Sequence, residues 1–169
     1  MSEIVLRPMA AFDLPAVLAV QSQCYGDALL ESSEALASRL TLSPETCWIA
    51  ALPDGSLAAY LFTHAWPEDA LPPLDGVLAR GWADDTALTW FVHDMAVAPG
   101  GRGTGIAQRL YAASRDAALA AGLRSSRLIA VQSASAWWRR LGYAPIVAGK
   151  HAEKLADYGD DAVLMGCRL

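Results

Sequence analysis

The chain has 169 residues, of which 54 % are hydrophobic and 18 % charged, and its formal net charge is −5. This length suits a single domain, expected over residues 1–169, with a full-sized core, and the apolar content excludes a disordered chain. The acidic balance argues against nucleic acid as a partner, because such surfaces are normally basic, and no apolar run approaches the roughly 18 residues of a membrane span.

Met1 to Pro8 show no basic segment followed by an apolar one, so no signal peptide is expected. Glu3 to Pro8 alternates and reads as a first strand. Asp13 is a candidate N-cap with Pro15 just inside the helix that follows, which runs to about Cys24. Ser32 or Ser33 caps a second helix carrying Leu36 and Leu40, ending before Pro44. Cys47 to Leu52, a turn at Pro53-Asp54-Gly55, and Ser56 to His64 make a hairpin. A long irregular loop spans Trp66 to Asp85, and Thr86 to Val97 is the next strand. After a glycine-rich turn, Ile106, Leu110, Ala113, Ala117 and Ala121 recur near the helical period, with Gly122 at the C′ position. Arg127 to Val131 is a strand, Ala134 to Leu141 a short helix closed by Gly142, and Tyr143 to Val147 and Ala162 to Leu169 are two last strands. Gly149 to Asp161 reads as polar loop. The order is β-α-α-β-β-β-α-β-α-β-β. Cys24, Cys47 and Cys167 are odd in number and lack metal-ligand spacing, so we expect no metal, and free thiols in a cytoplasmic protein.

The stretch from Val97 to Leu110 carries the chemistry. It leads from an apolar strand through Pro99-Gly100-Gly101-Arg102-Gly103-Thr104-Gly105 into a helix. Glycines allow tight turning and close approach to a ligand. The helix start adds unpaired N–H groups and a positive dipole end, which suit a phosphate or pyrophosphate. A nucleoside triphosphate loop would need Gly-Lys-Ser/Thr where this chain has Gly105-Ile106-Ala107. A dinucleotide site would need G-x-G-x-x-G and an acid at the end of the next strand. The spacing here is broken, and Val131-Gln132 offers no carboxylate.

Arg102-Gly103-Thr104-Gly105-Ile106-Ala107 resembles the Arg/Gln-x-x-Gly-x-Gly/Ala motif of the GNAT superfamily of acetyl-CoA-dependent N-acetyltransferases. Ser135 to Tyr143 resembles that superfamily's A-x-x-F-Y-x-x-x-G-F helix and turn. The resemblance implies an α/β GNAT fold, with a central mixed, mostly antiparallel sheet flanked by helices. It implies acetyl-CoA as cosubstrate, with the pyrophosphate held by Arg102, Gly103, Thr104, Gly105, Ile106 and Ala107. The pantetheine arm would lie on backbone groups of Met95, Ala96 and Val97, with the Val97 N–H meeting the oxyanion. Gln132, Ser133 and Ser135 stand where the family often binds CoA through a polar side chain, although Ser133 could equally be a helix cap.

Acetyl transfer to an amine also needs a base. His93 is the first candidate: strict strand alternation puts Phe91, His93, Met95 and Val97 on one face and Val92, Asp94 and Ala96 on the other. A neutral imidazole can accept a proton through ordered water, though a strand histidine can equally be bonded to backbone or carboxylate. Asp94 is the alternative if a bulge rotates it. Trp138 stands where the family usually has an acidic tyrosine, and indole cannot donate that proton. Trp138 would instead wall the thioester pocket, with Tyr143 or Tyr25 as substitutes for the acid, or as packed aromatics.

Arg39 to Glu45, Leu57 to Tyr60, Trp66 to Asp69 and the placement of His93 resemble the arylalkylamine N-acetyltransferase branch. The expected partner is therefore a small primary amine, aromatic amines included, bordered by Trp66, Trp82 and Trp90, with the protein a monomer or homodimer. The competing readings are a non-catalytic acyl-CoA sensor and an acetyltransferase of protein or peptide N-termini.

Overall fold

The computed structural model describes residues 3–169. Its strands are β1 (Val5–Pro8), β2 (Trp48–Ala51), β3 (Leu57–Pro67), β4 (Leu88–Val97), β5 (Ser125–Ala130), β6 (Ala144–Pro145) and β7 (Val163–Arg168). They form one open sheet in the order β1-β2-β3-β4-β5-β7-β6. β4 and β5 run parallel, and every other neighbouring pair is antiparallel. The helices are α1 (Leu14–Cys24), α2 (Ser33–Leu42), α3 (Ile106–Ala120), α4 (Ser135–Arg140) and α5 (Ala152–Ala156). This is the expected α/β architecture. Among the described residues no helix is long and apolar enough to cross a membrane.

Helices cover both faces of the sheet centre, which is why β3 is buried continuously from Leu57 to His64. On one face Ile106, Leu110, Tyr111 and Ala118 of α3 pack against Leu61, Trp90, Val92 and Leu128. On the other, Val17 and Val20 of α1 and Leu36 and Leu40 of α2 pack against Ile49, Tyr60, Phe62 and Ala96. Burying a leucine such as Leu36 or Leu110 is worth roughly 1.5–3 kcal/mol.

Local chemistry departs from the sequence reading in three places. Ser32 caps α2 as expected, accepting from Ala35 N. Asp13 does not cap α1 with its side chain: its two oxygens grip Arg7 at 2.8 Å each, and Oδ2 also accepts from Ala10 N at 2.8 Å, capping the short turn ahead of α1 instead. The Tyr143–Val147 strand shrinks to Ala144–Pro145, since Pro145 has no N–H for a ladder. Within the expected polar loop lies α5, a five-residue helix with no side-chain N-cap. It is tied down through Lys154 to Leu71 O and, just beyond it, Tyr158 to Pro72 O. The long loop between β3 and β4 is likewise pinned, by its buried Leu71 and by Asp75 Oδ1, which accepts from Ser32 N at 2.6 Å.

Candidate active site

Two irregularities in β4 create the site. β4 pairs with β5 only at Trp90, Phe91 and Val92, after which the two strands diverge. At the same point the β3 register shifts: Thr63 faces Val92 and Phe62 faces Asp94, so His93 is an extra residue in a β-bulge. A bulge adds local twist and re-aims side chains. It overturns the strict alternation expected for β4. Met95 and Val97 pack with Trp90 and Val92 on the α3 face, whereas His93 reaches Glu31 and Asp94 reaches Tyr60 on the opposite face. Below the bulge, Ala98 N–H bonds Ala58 O toward β3. The backbone groups of Met95 and Val97 therefore face the open edge. Their carbonyls there accept from Tyr25 Oη at 2.8 Å and Cys24 Sγ at 3.3 Å.

This open edge lines a cleft of about 300 Å³. A second depression of about 430 Å³ continues it over the glycine turn, sharing Val97 and Arg102. Gly101 is required there by close approach, since a Cβ would stand 2.5 Å from Ala58 O. Gly103 and Gly105 have φ of +75° and +74° with open space around them, so their constraint is conformational. Among the described residues the N–H groups of Gly103, Thr104 and Gly105 find no backbone acceptor, and those of Ile106, Ala107 and Gln108 open α3 ahead of any intrahelical partner. Gly103, Gly105, Ile106 and Ala107 line the depression together with Arg102. The result is a run of unpaired backbone donors at the positive end of a 15-residue helix, although Thr104 itself lines neither depression and turns its hydroxyl onto Gly101 O.

The other end of the cleft is built from side chains. Asp94 lines it, and its Oδ2 accepts from Tyr60 Oη at 2.8 Å. Burial, reinforced by the nearby Glu31 carboxylate, pushes the Asp94 carboxyl up to about 7, against the opposing hydroxyls of Tyr60 and Tyr25 and the charge of Arg39. Burial and the charge of Asp94 push the Tyr25 hydroxyl well above its usual range, which keeps it a donor. Glu31, from the segment before α2, also lines the cleft. Burial raises its carboxyl, but the His93 hydrogen bond, the charge of Arg39 and the Asp75 N–H outweigh this and hold it below the usual carboxylate value.

His93 has a partner on each ring nitrogen: Glu31 Oε1 at 3.2 Å from Nε2 and His64 Nε2 at 3.3 Å from Nδ1. His64 Nδ1 faces Ala65 O at 3.1 Å. Making all three contacts hydrogen bonds requires one more proton than two neutral rings carry. Burial disfavours that proton on both rings, aided by Arg39 at His93 and by His93 at His64. His93 thus lines the cleft beside Glu31 as a largely neutral group, with no unengaged ring nitrogen.

The remaining expected residues separate. Trp138 lines the cleft. Tyr143 lies behind it, ring centroids 5.6 Å apart. The Tyr143 hydroxyl is buried between Ser126 Oγ at 2.6 Å and Tyr111 Oη at 3.0 Å and does not reach the cleft. Burial drives that hydroxyl further from ionisation. Gln132 lines the cleft, yet its side-chain amide is committed to α1: Nε2 donates to Cys24 O at 3.2 Å and Oε1 accepts from Gly26 N at 3.4 Å. Gln132 and Ser133 both hold positive φ, 51° and 64°, which costs on the order of 1–3 kcal/mol each. Ser133 neither lines the cleft nor caps α4. Trp66, Trp82 and Trp90 do not border the cleft either. Trp66 and Trp82 pack edge-to-face on each other, and Trp90 is buried against Tyr111. The aromatic walls are Tyr25, Trp138 and Tyr158.

Sequence reasoning missed Glu31, Arg39, His64 and Tyr158. One signal was available: Arg39 shares the inward stripe of α2 with Leu36 and Leu40, and a charge there must be paired inside.

Residues 14–143 match the acetyltransferase (GNAT) family. No curated protein matches the sequence. Among solved structures, a chain of the NatC complex bound to Gag peptide and CoA superposes with a TM-score of 0.73 at 16 % identity, covering 99 % of both chains. The loading GNATL domain of CurA from Lyngbya majuscula gives 0.75 at 12 % identity over 98 % of each chain. Arylalkylamine N-acetyltransferase 2 from Aedes aegypti gives 0.69 at 14 % identity, covering 98 % of this chain and 99 % of that one. At such identities the likeness is one of fold and does not choose among acceptors. The splayed β4–β5 pair, the glycine turn opening α3 and the match across most of the length converge on one conclusion: the chain belongs to the acetyltransferase (GNAT) family.

Proposed function

We propose that residues 1–169 form one acetyl-CoA-dependent N-acetyltransferase domain that moves an acetyl group to a small primary amine by direct attack on the thioester. The observation that carries this reading is the Asp94 carboxyl, pushed up to about 7, lining the cleft that runs along the open β4 edge to the glycine cradle. The free N–H groups of the turn fit a pyrophosphate, and the outward backbone of Met95 and Val97, with Ala96 between them, fits an extended amide-bearing arm. Acetyl-CoA supplies an activated carbonyl and a thiolate leaving group.

In this reading Asp94 takes the proton from the amine. A base that is about half ionised at neutral pH combines the right protonation state with a useful driving force. His93 holds Glu31 in place rather than abstracting the proton itself. The Val97 N–H meets the developing negative charge. Trp138 walls the thioester end and supplies no acid; a thiol pKa near about 8.5 lets the thiolate leave without one. Gln132 closes the cleft against α1. Tyr25, Leu29, Leu74 and Tyr158 enclose the acceptor with mostly apolar surface, which supports a small amine with an apolar body. The free cysteines fit a cytoplasmic protein.

The test is acetyl-CoA-dependent thiol release across arylalkylamines, polyamines, amino acids and peptides with free N-termini. Release with small amines is expected. Release with peptides alone would overturn the acceptor class. Saturable acetyl-CoA binding without release would favour a sensor.

A further inference from the structure

We infer that Glu31 is the specificity-determining residue of the acceptor site, its free Oε2 receiving a protonated primary amine that carries no carboxylate beside the nitrogen. The inference rests on the amine-acetyltransferase reading above and adds a residue and a substrate class to it.

The carboxylate is fixed from four directions. Gln21 of α1 clamps the Glu31 backbone on both sides: its Oε1 accepts from Glu31 N at 2.9 Å and its Nε2 donates to Glu31 O at 3.1 Å. One carboxylate oxygen is saturated. Oε1 accepts from Arg39 Nη2 at 2.7 Å and Asp75 N at 2.9 Å, and faces His93 Nε2 at 3.2 Å. The other, Oε2, has no hydrogen-bond partner among the described residues, although Glu31 is only 5 % exposed and lines the cleft. That oxygen is not one of the fully buried unpaired atoms: it opens to the cleft that Glu31 lines, where an ammonium can take the place of water as a charge-assisted donor.

Arg39 is fully buried and its charge is spent on Glu31 and the carbonyls of Ala35 and Gly76. It offers nothing to an anionic substrate. Asp94 adds a second acid to the same wall. An ammonium gains from both carboxylates, whereas a carboxylate on the neighbouring carbon meets like charge and is repelled. A free amino acid is therefore rejected, and its amide or decarboxylated counterpart is accepted.

Calorimetric binding of 2-phenylethylamine to the CoA-saturated protein tests this without depending on turnover. Wild type should bind 2-phenylethylamine and phenylalaninamide, and phenylalanine at least about 100-fold more weakly. Glu31→Gln keeps the shape of the side chain. It should weaken 2-phenylethylamine at least about ten-fold and narrow the gap to phenylalanine, with the affinity for CoA unchanged. Equal wild-type binding of 2-phenylethylamine and phenylalanine would overturn the inference even if Glu31→Gln failed to fold. An unchanged Glu31→Gln affinity for 2-phenylethylamine would overturn it too. Glu31-dependent binding without thiol release would leave this inference standing and sink the acetyltransferase reading. Thiol release with Glu31-independent amine binding would do the reverse.

Discussion

The two ends of the cleft are built on opposite principles. At the glycine turn the ligand groups are backbone N–H donors, contiguous in sequence and fixed by the positive φ of Gly103 and Gly105. At the acceptor end they are buried side chains from separated elements: Glu31 before α2, Arg39 on α2, His64 on β3, His93 and Asp94 on β4. A backbone cradle tolerates changes of side chain that preserve its conformation. A buried charge network fails when one member is removed. The same fold can therefore keep one cosubstrate and change its acceptor by rewriting one end.

Replacing Asp94 by Asn should separate the two ends most sharply. The expected loss is about 10²–10⁴-fold in kcat/KM for the amine, with acetyl-CoA affinity by calorimetry unchanged. A comparable loss of acetyl-CoA affinity would show that the ends are not independent. Arg39→Ala strands the Glu31 carboxylate in the interior, and removing one partner of a buried pair costs about 3–5 kcal/mol. Urea unfolding should register that loss. Gly105→Val forces a β-branched residue to φ near +74°. The strain should raise the acetyl-CoA Kd about ten-fold or more and leave amine binding to the CoA-saturated protein unaltered. Tyr143→Phe should have the smallest effect: about 0.5–1.5 kcal/mol of stability from its buried hydrogen bonds, with kcat and its pH profile unchanged, as expected for a hydroxyl outside the cleft.

What the sequence discloses follows the same division. The cradle was legible because its constraint is local, with glycines, a strand before and a helix after, all within Val97 to Leu110. The element order was legible for the same reason, since periodicity and turn residues act over a few positions. The acceptor end was not. Glu31 sits in an unremarkable polar stretch until Gln21, Arg39, Asp75 and His93 close around it. The facing of β4 depends on one inserted residue, and alternation cannot reveal where β3 skips a partner. A bulge at His93 exchanges the faces of everything beyond it, so Asp94 turns toward Tyr60 while Met95 turns to α3. Trp66, Trp82 and Trp90 stand in or beside the long loop, where aromatic walls would suit an amine, yet none borders the cleft, and among the described residues the buried indole N–H groups of Trp66 and Trp90 have no partner.

The central claim is that Asp94 is the base, and the pH dependence of kcat/KM for the amine tests it most directly. The carboxyl must be ionised to take a proton. The carboxyl is raised to about 7 by burial and by Glu31, against Tyr60, Tyr25 and Arg39. Activity should therefore climb as pH rises through about 7, and Asp94→Asn should abolish that limb. A limb near 7 that persists unchanged in the Asp94→Asn protein would contradict the account.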